Sequence, residues 1–334
     1  MNRPFALVAR SLLALSILAA VFGGRLGSAE EAPHYQNLKV LPKDVDPQVL
    51  RATMGAFTRA LGVRCNYCHV ESPQHTLADF AKDDKPTKDK ARVMMRMVSD
   101  IDEKYLTTLD SRSHPPVQVS CFTCHHGVSQ PRTLQETLQI AYSTGGLDST
   151  RARYSALRDR YYGRAAYDFG DVPLVDVASA VRDSGHATDA LSLLELDLQM
   201  NPNSAFAKRM VAQNAVLASF STQGADSGVA TYRAMKSRFG ADAISEQALG
   251  AIGEQLVHSG KTPAGIAALE LTVSEHPNSS DTYDALGDTY LQAGDKKRAI
   301  ENFRKGAAAD SSDTHALDQL KALHAKPAKK PARK

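Results

Sequence analysis

The sequence predicts an all-α protein in two parts: a small N-terminal helical domain organised around two cysteine clips, then a solenoid of helical hairpins. Three observations predict it. The stretches RCNYCHV (64–70) and SCFTCHHG (120–127) each hold Cys-x-x-Cys-His, and together they use all four cysteines. The segments before the clips carry apolar residues at helical spacing. From about residue 171 the chain repeats with a period of about 34 residues, the length of a helical-hairpin unit.

The first 29 residues stand apart from the fold. MNRPFALVAR is a basic stretch, SLLALSILAAVFGG is an apolar run shorter than a membrane span, and small residues follow up to Ala29. That is the pattern of an export signal, with cleavage expected near Ala29 and a retained N-terminal anchor as the alternative. The mature chain is thus expected in the periplasm, with no membrane association indicated beyond this segment. At 43% hydrophobic and 23% charged, 334 residues can bury real cores and stay soluble. A net charge of +3 argues against a nucleic-acid binder.

Four cysteines in an exported protein would ordinarily suggest disulfides. Here each pair is followed at once by His, which is how a c-type haem is attached. The thiols of Cys65 and Cys68, and of Cys121 and Cys124, would form thioethers with the macrocycle. His69 and His125 would then be the proximal iron ligands. The expected cofactors are two covalently attached haem c groups in residues 30–131. A Cys/His zinc site, a pair of disulfides and a redox dithiol are the competing uses of these residue types.

The sixth ligands decide between carrier and catalyst. Before the first clip, Asp46 suits an N-cap and Pro47 the first helical position. Leu50, Met54, Phe57 and Leu61 form one apolar face, and Gly62 suits the C-cap. A turn there would lay Met54 over the first haem, although Met54 could equally be a core residue. Before the second clip, a helix starting at Pro86-Thr87 puts Met94, Met97, Ile101 and Tyr105 on one face. Spacing leaves Met94 and Met97 open as ligands, with His75 and His114 also in play. His126, beside His125, reads as a surface or haem-edge residue.

NLKVLPKD, the Met54 helix, CNYCH, ARVMMRMVSDIDEKYL and VSCFTCHHGVSQP follow one another in an order that resembles the photosynthetic reaction-centre cytochrome c subunit family. The resemblance covers about residues 37–131 and amounts to one dihaem half of a four-haem protein. It implies Met54 as ligand to the haem 1 iron. It implies Met94 for haem 2, seven residues before the Ile of the pair Ile101-Asp102, with Met97 demoted to an alternative. The family also has a haem that takes a His from the other half; the matching position here is Thr108, so that mode is not expected.

Residues 132–170 read as a helical linker of two helices around Gly145-Gly146. Residues 171–318 then read as four hairpins. Tyr283, Leu286, Gly287, Tyr290, Gly294, Ala299 and Phe303 fall at the positions of tetratricopeptide repeats, which this part resembles. A unit 34 residues earlier fits the same frame, a third fits further back, and the gap leaves room for one degenerate unit plus about seven residues. Such repeats bury a continuous core only by stacking. Residues 319–334, ending KPAKKPARK, read as a basic disordered tail.

The function expected from these parts is a periplasmic dihaem electron carrier whose repeats dock redox protein partners. His/Met ligation fills both axial sites and leaves no place for a substrate, so no catalytic residues are expected. The alternatives are a peroxidase-like haem enzyme with a displaceable sixth ligand, and a repeat scaffold with accessory haems.

Overall fold

The computed structural model describes residues 35–70, 80–109 and 114–323. Among these every regular element is helical. The stretch expected to be an export signal, His75 and the KPAKKPARK tail lie outside the described residues. The chain divides into two compact units, Met1–Ser129 and Gln130–Lys334.

In the first unit, helix α1 (Pro47–Leu61) starts and stops where local chemistry dictates. The Asp46 carboxylate accepts from the Gln48 and Val49 amides at 2.7 and 3.2 Å, and Pro47 occupies the first turn. Gly62 closes the helix at φ +63°, with Val63 N–H reaching back to the Thr58 carbonyl at 3.1 Å. Helix α2 (Pro86–Asp100) opens on Pro86 and runs into a π-helical turn, Ile101–Tyr105, then a short 3-10 turn. Helix α3 (Cys121–His125) carries the second clip, with Ser120 and Thr123 forming a capping box. Only Ala60 and Val128 are buried apolar residues among those described in this unit.

The second unit is the reverse, with three continuous apolar clusters. Its hairpins are α5/α6 (Asp171–Asp183, Ala187–Met200), α7/α8 (Ala205–Gln223, Ala225–Phe239), α9/α10 (Glu246–His258, Thr262–Glu275) and α11/α12 (Ser280–Gln292, Lys296–Ala309). Successive hairpins pack on one another, as a repeat solenoid requires. The degenerate unit is the second: α7 has 19 residues where α5, α9 and α11 have 13, which takes up most of the surplus between repeats. Small residues let the paired helices close. A Cβ on Gly287 would lie 2.6 Å from the Phe303 ring, which is itself fully buried.

Two boundaries differ from those the sequence predicts. The segment expected as a linker contains helix α4 (Leu134–Tyr161), broken at Gly145-Gly146 as expected. It is part of the repeat unit, because Leu134, Leu138, Tyr154, Leu157 and Phe169 complete the first apolar cluster with α5 and α6. Their apolar side chains sit inside an Arg- and Tyr-rich run whose polarity hides the pattern. At the other end α13 (Thr314–Ala322) continues past residue 318 and covers α12, burying Ala316 and Leu320 as a terminal cap.

One buried charge marks the solenoid core. Asp197 is fully enclosed; its Oδ1 accepts from Asn201 Nδ2 at 2.9 Å while Oδ2 has no partner among the described residues. Burial, with a smaller contribution from Asp171, pushes its carboxyl up to about 6 against the Asn201 hydrogen bond. A raised carboxyl is protonated more readily folded than unfolded, so its stabilisation is complete below the ordinary value of 3.8 and is lost as pH rises to about 6. The loss is on the order of 3 kcal/mol. Asp197→Asn is therefore expected to raise the thermal midpoint of the repeat unit at pH 7 and to flatten its profile between about pH 4 and 6. Asp284, pushed up to about 7 by burial and Asp313, keeps part of the dependence. Calorimetry across that range checks it; a lowered midpoint at pH 7 would contradict the assignment.

Candidate haem-binding site

Each clip is a single tight turn. Cys65–Tyr67 is a 3-10 turn in which Cys68 N–H and His69 N–H both return to the Cys65 carbonyl, at 3.2 and 3.0 Å. In α3 one helical turn separates Cys121 from Cys124. All four cysteines are free thiols, two half-buried and two exposed. Burial pushes the Cys68 and Cys121 thiols up.

The histidines are oriented by the same device. His69 Nδ1 lies 3.1 Å from the Phe80 carbonyl, and His125 Nδ1 lies 2.9 Å from the Val128 carbonyl. A carbonyl oxygen only accepts, so Nδ1 carries the proton in both rings and Nε2 keeps its lone pair. This is the ligating tautomer, with its ring direction fixed by the second nitrogen. Burial and then the charge of Lys88 push His69 below the ordinary imidazole range, opposed by the Phe80 carbonyl. The neutral form is the one a metal requires.

The start of α2 holds the first clip in place. Thr87 Oγ1 donates to the Tyr67 carbonyl at 2.6 Å, and Lys85 Nζ donates to the Asn66 carbonyl. Lys88 Nζ donates to the carbonyls of Phe80, Ala81 and Lys82 at 2.8, 3.0 and 2.7 Å. Asp83 anchors this segment: Arg92 approaches it in a two-pronged pair at 2.8 and 2.9 Å, with Lys39 at 2.7 Å and Asn37 at 2.9 Å. Arg92, with Lys39, Lys88 and Asn37, holds the Asp83 carboxyl well below the usual carboxylate range. The second clip is held from the far end of α2, where Asp102 in the π-helical turn accepts the Val119 amide at 2.9 Å. It is also held by α1, since Gly127 N–H donates to the Ala60 carbonyl at 2.8 Å. Helix α1 thus joins both clips: it leads by chain into the first and packs against the second.

Met54 lies half-buried on α1, and Met95 is half-buried on α2. Met94 and Met97 are both exposed, at 40% and 43%. Tyr67, Phe80 and Phe122 are exposed as well. His126 takes the left-handed cap position of α3, at φ +46°, with its ring edge-on to Phe122. His114 is exposed. The orienting carbonyls of Phe80 and Val128, and the role of Lys88, had no signal in the sequence, because any residue has a carbonyl and a lysine at a helix start reads as solvated.

The residues present fit haem c. Each clip offers two thiols one turn apart and an imidazole with free Nε2. Among its described residues the unit buries almost no apolar side chains while exposing large ones in and near the clips, Tyr67 and Phe122 among them, which suits a core completed by a large planar apolar group. Among the described residues no group of three or more His, Cys, Asp or Glu is placed to hold a metal ion by itself.

These features resemble those of a c-type cytochrome unit, followed along the chain by a helical repeat unit. Residues 23–156 match the family described as the photosynthetic reaction centre cytochrome C subunit, so the match passes both clips and runs into α4. The photosynthetic reaction center cytochrome c subunit of Thermochromatium tepidum is 31% identical over 157 residues, 46% of this chain and 35% of that one. Cytochrome c-554 of Chloroflexus aurantiacus is 32% identical over 97 residues, 29% of this chain and 22% of that one. The chain spans about a third or less of the length of these relatives. Similarity to cytochromes c implies covalently bound haem c. Among solved structures, MamA AMB-1 aligns over 56% of this chain and 95% of its own at 18% identity and a TM-score of 0.27. YrrB, described as a TPR protein with an unusual peptide-binding site, aligns over 56% and 90% at 13% identity and a TM-score of 0.29.

Proposed function

We propose that this chain is a periplasmic dihaem c-type cytochrome that passes electrons between protein partners and docks them through its repeat unit. The observation that carries the reading is the duplicated clip, each with two thiols on one turn and a histidine held by its Nδ1–H in the ligating tautomer. Bound haem c supplies one-electron chemistry at its iron. The chain supplies four thioether sulfurs from Cys65, Cys68, Cys121 and Cys124, and the Nε2 atoms of His69 and His125. Met54 is proposed as the second protein ligand for haem 1 and Met94 for haem 2, with Met97 as the alternative. A methionine thioether together with a histidine would raise the potential relative to two histidines and leave no coordination place for a substrate. The export segment, residues 1–29, supports the compartment; among the described residues no helix is long and apolar enough to cross a membrane.

The test is a redox titration followed by optical spectra on the exported protein. Two low-spin couples, each with the long-wavelength Met–Fe(III) band, are expected. Met54→Ala is expected to turn one of them high-spin and lower its potential by on the order of 100 mV or more, as loss of a soft axial ligand does. Two low-spin haems in that variant would overturn the ligand assignment. A high-spin haem in the wild type would favour the peroxidase-like reading. Deletion of residues 130–334, the whole second unit, tests docking: electron transfer to the physiological partner that is unchanged without them removes the repeats from that role.

A further inference from the structure

The two clips orient their histidines alike but not in the same electrostatic setting. The Val128 carbonyl accepts His125 and, among the described residues, no second side-chain donor. The Phe80 carbonyl accepts His69 Nδ1–H at 3.1 Å and also the Lys88 ammonium at 2.8 Å. The Lys88 side chain is only 12% exposed and is fixed from three more directions, by the Ala81 and Lys82 carbonyls and by Asp83 Oδ1 at 3.0 Å. Asp83 is in turn shared with Arg92 and Lys39, so Lys88 is not neutralised by a carboxylate of its own.

We propose that Lys88 is a positioning and tuning residue for the first haem, raising the reduction potential of the His69 haem above that of the His125 haem by sharing the Phe80 carbonyl with His69. This rests on the reading of the clips as haem sites. Two effects act in one direction. A cation on the shared oxygen makes it a poorer acceptor for Nδ1–H, so the ring gains less electron density to give the iron through Nε2. A half-buried positive charge near the ligand also favours the reduced, less positive iron. Either effect alone makes the first haem easier to reduce, and among the described residues the Val128 carbonyl at the second clip receives no such cation. The two haems of one small unit would then be ordered in potential, which gives electron flow through the unit a direction.

The experiment is a spectroscopic redox titration of the full-length matured protein carrying Lys88→Met, with Lys88→Arg as the conservative variant. In Lys88→Met the couple whose spectrum Met54→Ala alters is expected to fall by about tenfold in its reduction equilibrium, ~59 mV for one electron, with low-spin ligation intact. The other couple stays in place, and Lys88→Arg restores most of the shift. Should Lys88→Met not mature, Lys88→Gln keeps a donor at similar reach without the charge and is expected to move the same couple by less. Unchanged couples, an equal shift of both, or a shift that comes with a change of spin state overturns the tuning role. If the wild type matures fewer than two redox-active haems, it is the dihaem reading that fails instead.

Discussion

Replacing Cys65, Cys68, Cys121 and Cys124 together with alanine is expected to unfold the first unit and leave the repeats standing. The reason is the difference in burial between the two. The repeat unit encloses large side chains such as Tyr154, Phe220, Tyr232 and Phe303 in continuous clusters. Among the described residues the first unit encloses Ala60 and Val128, and the third buried side chain is Arg92, held by ion pairs. Two small apolar residues cannot offset the entropy of ordering three helices. Most of the apolar area has to come from the macrocycle, and without thioethers the macrocycle is not retained. Cofactor binding and folding are then one equilibrium, as in small metal domains that are unfolded without metal. Limited proteolysis followed by mass spectrometry reads the result. Cleavage within residues 35–129 should accelerate by roughly 100-fold or more, which corresponds to about 3 kcal/mol of lost protection. Fragments covering residues 134–322 should persist. Equal protection of the two units in the quadruple variant would show that the clips' cofactors are not part of the core.

How much of this was legible in the chain depends on where the information is stored. Helix α1 was readable end to end, because Asp46, Pro47 and Gly62 act through their own backbone neighbours. The four hairpins were readable because each repeat has to bury the same face, so the period survives even where α7 lengthens. The place of α4 was not readable: Leu134, Tyr154 and Leu157 are buried by contacts with a segment that follows them, in a stretch that by composition is half polar. At the site, the thiols and imidazoles were visible as residue types. What aims them was not, because it is made of main-chain oxygens at Phe80 and Val128 and of a lysine three residues into the region that opens α2. Asp102 is an intermediate case. The pair Ile101-Asp102 was noticed as a landmark, and the structure gives the carboxylate a job, receiving the Val119 amide two residues before Cys121.

Gly62→Ala is expected to be the most damaging single-methyl change in the first unit. Gly62 ends α1 at φ +63°, where a side chain costs about 1–2 kcal/mol. Its Cβ would also meet the Gly127 carbonyl oxygen at 1.9 Å, and a backbone atom cannot swing away as a flexible side chain can. Relief requires either unwinding the last turn of α1 or moving the loop after the second clip, which breaks the Gly127–Ala60 hydrogen bond at 2.8 Å. That loop includes Val128, whose carbonyl aims His125. The expected cost is about 3 kcal/mol or more, together with a disturbed setting for His125, since the loop that has to move carries the Val128 carbonyl. Gly127→Ala is the internal control. Gly127 also has a positive φ, +88°, but a Cβ there meets nothing within 4 Å, so only the backbone term of about 1–2 kcal/mol applies. Denaturant unfolding of the matured proteins, followed through haem absorbance, separates the two. If Gly62→Ala is no worse than Gly127→Ala, the close approach of Gly62 to the Gly127 carbonyl is not what holds the second clip against α1.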